Sequence, residues 1–195
     1  MEVPKGRTAR VDGLLDGSLT STGGYVQSSC TLVRDGEHVI VVDPGMATGA
    51  SAILEPLAKL GVQPEDVTEV VLSHHHPDHT MYAGLFPNAA VHDHWAIYRG
   101  DQWEDSECDG RVLSPSVRIA RTPGHTAEDL ALIVGTPDGV VVTTHSWFHA
   151  DSTAEDEEPE DEDQLHEARR QILQIADLIV PGHGPAFRPT AATPR

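Results

Sequence analysis

The stretch SHHHPDH, residues 73–79, constrains this 195-residue chain more than any other part of its sequence. Four imidazoles and a carboxylate fall within six positions, directly after the apolar run VTEVVL at 67–72. Such a run predicts a short buried strand that delivers the polar groups to its end. Imidazole and carboxylate are ligands for zinc and similar borderline ions. The stretch therefore predicts a metal site, and the alternative is a solvated loop that is merely rich in histidine.

The order of residues within the stretch divides the donors into two sets. Residues two apart on an extended segment point to the same side, so His74 and His76 are expected to converge on one point. Pro77 bends the chain, and Asp78 with His79 is then expected to face a second point close by. Two ions a few ångströms apart require donors divided in this way.

Two further histidines share a local pattern. His125 and His183 each follow a Pro-Gly pair at the end of an apolar stretch. Glycine allows the backbone to turn sharply there, which leaves the imidazole at a strand end. A single turn of this kind is weak evidence, because an isolated histidine is more often a structural residue. Two of them in a chain that also contains SHHHPDH favour a metal centre.

Strands and helices are predicted in two successive halves, which is typical of a layered α/β domain with two packed sheets. The predicted strands cover residues 25–33, 38–43, 67–72, 89–94, 116–121, 130–134 and 140–145, with a short last strand before the final Pro-Gly-His turn. A helix is predicted within 48–61, ending near Gly61. The polar stretch RGDQWEDSECDG at 99–110 predicts no clear element.

A second helix is predicted over DQLHEARRQILQIAD, residues 163–177. Its apolar face has helical spacing, whereas Arg169 and Arg170 are expected to lie away from that face. The apolar positions are Leu165, Ala168, Ile172, Ile175 and Ala176.

Charge and composition limit the partners and the location. The formal net charge is −18, and residues 151–163 contain nine acids and no base. Such a field repels polyanions, so a nucleic-acid partner is not expected, and the acidic run predicts a solvated loop within a single domain spanning 1–195. Cys30 and Cys108 are too few for a disulfide framework. With no signal peptide and no transmembrane run, we expect a cytoplasmic protein that does not bind membranes; the oligomeric state stays open.

The motifs SHHHPDH, TPGHT, THSWF and VPGHG, in this order, resemble the metallo-β-lactamase superfamily of hydrolases, from about Val39 to Phe187. The HxHxDH motif is highly specific. The resemblance implies an αββα four-layer sandwich. GLFP after the motif and RRQILQIADLIVPGHGPAFRP near the end are similar to the metallo-β-lactamase domain-containing protein subgroup, of which one characterised branch acts on RNA.

The resemblance also implies roles for individual residues. His74, His76 and His125 would hold a first metal, and Asp78, His79 and His183 would hold a second. Asp43 matches an aspartate that supports the ligands without binding the ion. The expected cofactor is zinc, as two ions or as one, with iron or manganese as alternatives.

One position departs from the family pattern. The family usually has an aspartate whose carboxylate bridges the metals, and the segment VVTTHSWF has His145 in that place. An imidazole cannot bridge two ions as a carboxylate does. His145 is therefore expected to bind one metal, to hydrogen-bond the nucleophilic water, or to stay outside the ligand shell.

The function implied is hydrolysis by a metal-activated hydroxide, with Asp78 as the catalytic group that orients the nucleophile and receives its proton. The charge favours a small ester, lactone, thioester or amide. A phosphodiesterase of RNA or DNA and a catalytically silent metal-binding module are the alternatives. Tyr25, Trp147 and Phe148 are candidates for the pocket lining; for Trp147 and Phe148 the alternative is a plain core position.

Overall fold

The computed structural model describes residues 1–20, 24–155 and 158–195 of the chain. In chain order the strands are β1 (Arg10–Leu15), β2 (Ser18–Leu19), β3 (Val26–Gln27), β4 (Cys30–Asp35), β5 (His38–Val42), β6 (Glu69–Val71), β7 (Ala90–His92), β8 (Ala96–Arg99), β9 (Gln102–Asp105), β10 (Val112–Ser114), β11 (Val117–Arg121), β12 (Leu130–Thr136), β13 (Gly139–Thr143) and β14 (Leu178–Val180). The helices are α1 (Ser51–Lys59), α2 (Pro77–Thr80) and α3 (Glu162–Leu173), with 3₁₀ turns at Pro64–Asp66 and Ala83–Leu85.

The strands form two large sheets and one small ribbon. The first sheet has the order β1-β4-β5-β6-β7-β8-β9, and the second has the order β10-β11-β12-β13-β14. Strands β5, β6 and β7 are parallel to one another, as are β13 and β14, whereas the other neighbours in both sheets are antiparallel. Strands β2 and β3 pair separately.

Burial follows the alternation of side chains along the strands. In β5, Ile40 and Val42 face the other sheet, while Val41 faces α1. On the second sheet, Ile119 of β11 faces the first sheet, and the neighbouring Ala120 faces outward into the cluster that contains Ile172 of α3. Since successive side chains of a strand point to opposite faces, each sheet is covered on both sides. The layers are therefore α1, sheet, sheet and α3, which confirms the αββα architecture.

This topology gathers several strand ends at one edge of the sandwich. Strands β5 and β6 run parallel and end at the same edge. In the second sheet β11 and β13 run in the same direction, because each is antiparallel to β12, and β14 is parallel to β13. The segments that follow β6, β11, β13 and β14, including α2 after β6, contain all seven candidate metal ligands.

The structure confirms most of the predicted elements and corrects two predictions. Residues 96–99 and 102–105 form the hairpin β8–β9, which the polar sequence concealed because all four residues of β9 are exposed. Arg169 does not lie away from the apolar face of α3: it is fully buried. Its guanidinium covers the Trp147 ring at 5.1 Å, and its Nε donates to the Ser146 carbonyl at 2.6 Å, so cation–π contact and hydrogen bonding compensate for its burial.

Among the described residues, no helix has the length and apolar character that crossing a membrane requires.

Candidate metal centre

Seven side chains meet at the edge of the sandwich, and their donor atoms form overlapping groups. The described residues contain three sets whose potential ligand atoms lie within 4.8 Å of one another. These sets are His74, His76 and His125; Asp78, His79 and His183; and His74, His79 and His145. The structure thus brings together all the histidines and the aspartate that the sequence singled out as ligands.

The first group is held by short nitrogen-to-nitrogen contacts. His74 Nε2 lies 2.9 Å from His76 Nδ1, and His125 Nε2 lies 3.3 Å from that same His76 atom. The other nitrogen of His74, Nδ1, lies 3.0 Å from the Ser73 hydroxyl. His74 is buried and His76 is exposed. The group therefore opens to solvent on the His76 side.

In the second group, hydrogen bonds determine which nitrogen remains available. His183 Nδ1 donates to the Gln27 carbonyl at 3.0 Å, so its Nε2 carries the lone pair. His79 Nδ1 lies 2.9 Å from Asp43 Oδ2, and a hydrogen bond there leaves its Nε2 with the lone pair as well. These Nε2 atoms lie 3.7 Å and 3.3 Å from Asp78 Oδ2. One carboxylate oxygen and two imidazole Nε2 atoms thus face one point.

His145 lies between the two groups. Its ring centroid is 4.5 Å from that of His74, 4.7 Å from His79, 4.2 Å from His125 and 5.0 Å from His183. The side chain is fully buried, and its Nε2 lies 3.1 Å from His183 Nε2. The replacement of the usual aspartate thus leaves a donor at the centre of the cluster.

Electrostatics favour neutral imidazoles at several of these positions. Burial, together with the neighbouring imidazoles, lowers the pKa of His74 and of His145 well below the usual value. Burial also lowers the pKa of His183 to about 4. Neutral imidazoles have lone pairs that a cation can accept, whereas protonated ones do not. At neutral pH these three side chains are therefore ready to bind a metal.

His79 responds differently, because two carboxylates surround it. Burial alone would lower its pKa, but Asp43 and Asp78 raise it to about 9. The same carboxylates lie where they stabilise any positive charge at this point, whether a proton or a metal ion. Within the three donor groups, His79 Nε2 and His145 Nδ1 are buried without a hydrogen-bond partner, which is uncommon for buried polar atoms. A bound cation would satisfy such groups, so the residues fit a divalent metal.

Asp43 supports the ligand loop from the end of β5. Its Oδ1 accepts the Ser73 amide at 2.7 Å, while its Oδ2 contacts His79. The backbone φ of Asp43 is +48°, a left-handed conformation that is uncommon for residues other than glycine. Strain of this kind persists where the surroundings enforce it and is often found at functional sites.

Two glycines allow the close approach of backbone to the site. A Cβ on Gly45 would lie 1.5 Å from the Asp78 carbonyl oxygen, and a Cβ on Gly182 would lie 2.5 Å from His145 Cδ2. Any side chain at either position would displace a candidate ligand. The close approach of His145 explains why the residue before His183 is glycine.

The three aromatic candidates occupy different environments. The Phe148 ring packs edge-on against His125, His145 and His183, at centroid distances of 5.6, 5.2 and 5.2 Å, and therefore borders the site. Trp147 is fully buried in the outer core, where its Nε1 donates to the Pro194 carbonyl at 2.9 Å. That position agrees with the plain core alternative. The Tyr25 side chain is 77% exposed beside β3.

Sequence reasoning did not identify Asp129 as a site residue. It is buried, accepts the Thr126 amide and hydroxyl, and places Oδ1 3.9 Å from His74 Nδ1. Burial raises its pKa to about 7. An acid four residues after His125 resembles an ordinary surface residue, so the sequence contained no signal that would have found it.

The acidic run is partly integrated into the site. Glu160 N–H donates to the His125 carbonyl at 3.2 Å, and its Oε2 accepts the Ala127 amide at 2.9 Å. Asp161 accepts the Gln164 amide and thereby caps α3, whose first residues belong to the run. Residues 162–163 therefore form the first turn of α3 rather than a loop, although Glu160, Glu162 and Asp163 are exposed to solvent. Asp156 and Glu157 lie outside the described residues.

Comparison with known proteins agrees with this geometry. The family model of the metallo-β-lactamase superfamily matches residues 23–146. A Xenopus laevis protein named metallo-β-lactamase domain-containing protein 1 is 32% identical over 186 residues, which cover 90% of this chain and 79% of that protein. The chain spans 60% of the mouse protein and 59% of the human protein of the same name. The chain belongs to the metallo-β-lactamase superfamily.

Solved structures show the same fold. A Thermotoga maritima protein assigned to the metallo-β-lactamases superposes with a TM-score of 0.74 at 20% identity, covering 94% of this chain and 100% of that one. An N-acyl homoserine lactone hydrolase with its product bound at the catalytic metal centre superposes with a TM-score of 0.65 at 18% identity, covering 93% and 94%. Identities this low show a shared fold only. Together with the donor groups, the fold defines a metal-binding hydrolase class.

Proposed function

We propose that this chain is a zinc-dependent hydrolase that uses a metal-activated hydroxide on a small ester, lactone, thioester or amide. The observation that carries the proposal is the pair of donor groups, His74 with His76 and His125, and Asp78 with His79 and His183, within 4.8 Å in each group. His74, His76 and His125 would hold one ion, and the other three residues a second. Zinc is proposed because these groups are rich in imidazole, whereas magnesium and calcium prefer oxygen ligands.

When bound, zinc lowers the pKa of a coordinated water from about 15.7 to about 7 and thus supplies a hydroxide nucleophile at neutral pH. Asp78 is the proposed catalytic group of the chain itself. Its Oδ2 lies between His79 and His183, and the groups around it, chiefly His79, hold its pKa below the usual range despite burial. A carboxylate that stays ionised can orient the nucleophile and accept its proton.

His145 is proposed to bind a metal directly rather than to remain outside the ligand shell. Its central position between the groups and its partnerless buried Nδ1 support that role. Because one imidazole nitrogen has one lone pair, it would complete the coordination of one ion without bridging to the other. The number of ions per chain is therefore the first quantity to measure.

A cavity beside the centre suits a small substrate. About 580 Å³ of open space is bounded by Phe148, His149 and Leu19, with Asp151, Glu155 and Glu158 on its acidic side. Ligand pockets of about 300–1,000 Å³ take molecules of drug size or smaller. Phe148 connects this cavity to the ligand rings, since it contacts three of them. The acidic side would repel a phosphate backbone.

Names of similar proteins support an acyl substrate. A hydroxyacylglutathione hydrolase is 31% identical over 113 residues, and the superposed lactone hydrolase acts on an acyl homoserine lactone. These activities belong to those proteins, and here they support the choice of an ester, lactone or thioester.

A metal-dependent phosphodiesterase of RNA or DNA is the second candidate. The observation that favours it is the subgroup resemblance, because the subgroup contains a branch that acts on RNA. The net charge of −18 opposes it, since a nucleic-acid backbone needs a basic groove. The third candidate is a metal-binding module without catalytic activity. It is disfavoured because every donor position is occupied by a residue that can bind a metal.

Elemental analysis followed by a substrate panel tests the proposal. The tag-free protein is first loaded with zinc, and the metal content per chain is measured. It is then assayed with a lactone, a thioester, a nitrocefin-like amide and a single-stranded RNA. We expect hydrolysis of at least one acyl substrate and its loss in His125→Ala. Cleavage of RNA alone, abolished by His125→Ala, would replace the proposal with the nuclease, and inactivity of the loaded protein on all four would favour the module.

A further inference from the structure

His75 is the one histidine of SHHHPDH that belongs to no donor group. Its side chain is one-third exposed and makes contacts with two other loops instead. It is flanked on both sides by candidate ligands, so its position and theirs cannot change independently.

Glu128 holds His75 from the loop that follows β11. Glu128 Oε1 accepts the backbone N–H of His75 at 2.9 Å, and Oε2 lies 2.8 Å from His75 Nδ1. One carboxylate therefore accepts a hydrogen bond from the main chain of His75 and lies at ion-pair distance from its ring, although His75 Nδ1 makes no hydrogen bond of regular geometry. Because His125 lies three residues before Glu128, this contact links the ligand loop to the loop that contains His125.

Asp93 holds the opposite side of the ring. His75 Nε2 lies 3.1 Å from Asp93 Oδ2, while Oδ1 of the same carboxylate accepts the amides of Trp95 and Ala96, both at 2.8 Å. Tyr98 donates its hydroxyl to Asp93 Oδ2 at 2.6 Å, and Asp93 itself is buried. The position of this carboxylate is thus determined by the junction between β7 and β8.

Trp95 closes the arrangement on one face of the ring. The indole stacks on the His75 imidazole with a centroid separation of 4.7 Å and an interplanar angle of 13°. Stacking restricts rotation of the imidazole about its χ2 bond, so the ring is constrained at both nitrogens and at one face. We name His75 with Glu128, Asp93 and Trp95 the His75 clamp.

We propose that His75 is a positioning residue, and that the clamp sets the geometry of His74 and His76 for metal binding. The inference rests on the proposed metal centre. Metal sites need ligands held within about 0.5 Å of their working geometry, which supporting contacts provide. The clamp joins the ligand loop of one sheet to the His125 loop of the other, so it also determines how far His125 lies from His74 and His76.

Cobalt binding is the test, because it requires no substrate. The apo protein is titrated with Co²⁺ against a chromophoric chelator, and the visible spectrum of the bound ion reports its coordination geometry. We expect His75→Ala to weaken Co²⁺ binding by about 10–100-fold, as is typical for loss of outer supporting contacts, and to change the spectrum. His75→Asn should recover part of the affinity, because its side-chain amide can donate toward Glu128.

His38→Ala is the matched control. His38 contacts a single carboxylate, with its Nδ1 3.0 Å from Glu69 Oε1, and it lies at the start of β5, at the opposite edge of the sandwich. Each alanine variant loses a carboxylate contact and should lower the melting temperature of the apo protein, while only His75→Ala should change the cobalt affinity and spectrum. Glu128→Ala removes the main contact of the clamp without changing the sequence of the ligand loop. It should weaken cobalt binding and change the spectrum, as His75→Ala does. This second variant serves as the test if His75→Ala does not fold.

Wild-type cobalt affinity and spectrum in His75→Ala, or in Glu128→Ala if the first variant does not fold, would overturn the inference. So would an affinity loss that His38→Ala reproduces. Failure of the hydrolase proposal would look different, because cobalt would bind and respond to the clamp variants while no substrate is hydrolysed. A wild-type protein that takes up no cobalt would overturn both proposals.

Discussion

Two buried polar clusters lie at opposite edges of the sandwich, and they differ in how their polar atoms are satisfied. At the end of β4, Asp35 Oδ1 accepts the Thr8 hydroxyl at 2.6 Å, and Oδ2 accepts the Ser114 hydroxyl at 2.6 Å and the Ser116 amide at 3.1 Å. Donors and acceptors match there. At the other edge, imidazole nitrogens face one another at about 3 Å, and two buried nitrogens have no hydrogen-bond partner.

The comparison distinguishes buried polar groups that stabilise the fold from buried polar groups that are available to bind a ligand. A matched cluster contributes to stability because every buried group keeps a partner. A cluster of crowded imidazoles in which two buried nitrogens have no partner costs free energy until a cation satisfies them. We therefore expect substitutions in the Asp35 cluster to change the free energy of unfolding alone, and substitutions in the histidine cluster to change metal binding and catalysis.

The largest expected effect is that of Asp78→Asn on turnover. The amide cannot accept the proton of the nucleophile, so kcat/KM should fall by about 10²–10⁴-fold, the usual contribution of a general base. Steady-state kinetics on an acyl substrate, with the metal content measured in parallel, would check this. Asp101→Asn, an exposed carboxylate in the β8–β9 turn, is the control and should leave turnover unchanged. Full activity and full metal content in Asp78→Asn would remove Asp78 from the mechanism.

Substitutions of His145 test whether the centre of the histidine cluster binds metal. His145→Ala should weaken zinc binding by about 10–100-fold, whereas His145→Asp should retain two ions per chain, because a carboxylate offers two oxygens that can bridge them. Equilibrium dialysis against zinc followed by elemental analysis measures both. His166→Ala, a partly exposed histidine on α3, serves as the control. Unchanged zinc affinity in His145→Ala would place His145 outside the ligand shell.

At the matched cluster, Asp35→Ala should lower the free energy of unfolding by about 1–3 kcal/mol, because three donors lose their acceptor. Denaturant unfolding of the apo protein is the measurement. Zinc content and turnover should stay at wild-type values, since Asp35 lies at the edge opposite the centre. A loss of zinc in this variant at unchanged stability would show that the two clusters are coupled and would contradict the comparison.

The smallest expected effect is the pH dependence of the stabilisation that Asp35 contributes to the folded state. Burial would raise the pKa of the Asp35 carboxyl, but the hydrogen bonds from Ser114, Thr8 and Ser116 lower it below its usual 3.8. A lowered folded-state pKa gives stability that is complete above the unfolded-state pKa and is lost as the pH falls through the folded-state value. The difference in unfolding free energy between wild type and Asp35→Asn should therefore shrink as the pH falls below about 4. If this difference in unfolding free energy instead grows as the pH falls, the pKa of Asp35 is raised in the folded state and not lowered.

The local signals in the sequence were sufficient for most of the fold. Short apolar runs with turn residues between them predicted β4 to β7 and β11 to β14, because a strand buried on both faces must be continuously apolar. Strands β1 and β10 were not predicted, since most of their residues are only partly buried or exposed and form no such run. The β8–β9 hairpin was missed for a similar reason. All four residues of β9, the last strand of the first sheet, are exposed, so this strand carries no apolar alternation. Arg169 was wrongly predicted to be exposed, because the helical pattern assigns charged residues to the solvent face. Its burial is compensated by the neighbouring Trp147 ring and Ser146 carbonyl, which the pattern does not show.

The sequence by itself determined which residue types could bind a metal and which of them share a loop, since the spacing within SHHHPDH is a local property of the chain. It could not determine which side chains from separate loops meet. Glu128 and Asp129 lie between β11 and β12 of the second sheet, so their contacts with His75 and His74 depend on how the two sheets pack. Asp93 follows β7, and its contact with His75 depends on the pairing of β7 with β6. Sheet packing is a property of the whole chain, because each contact forms only when every strand has its place. The tertiary structure alone therefore decided that His145 lies at the centre of the cluster and that His75 lies outside it, between Glu128 and Asp93.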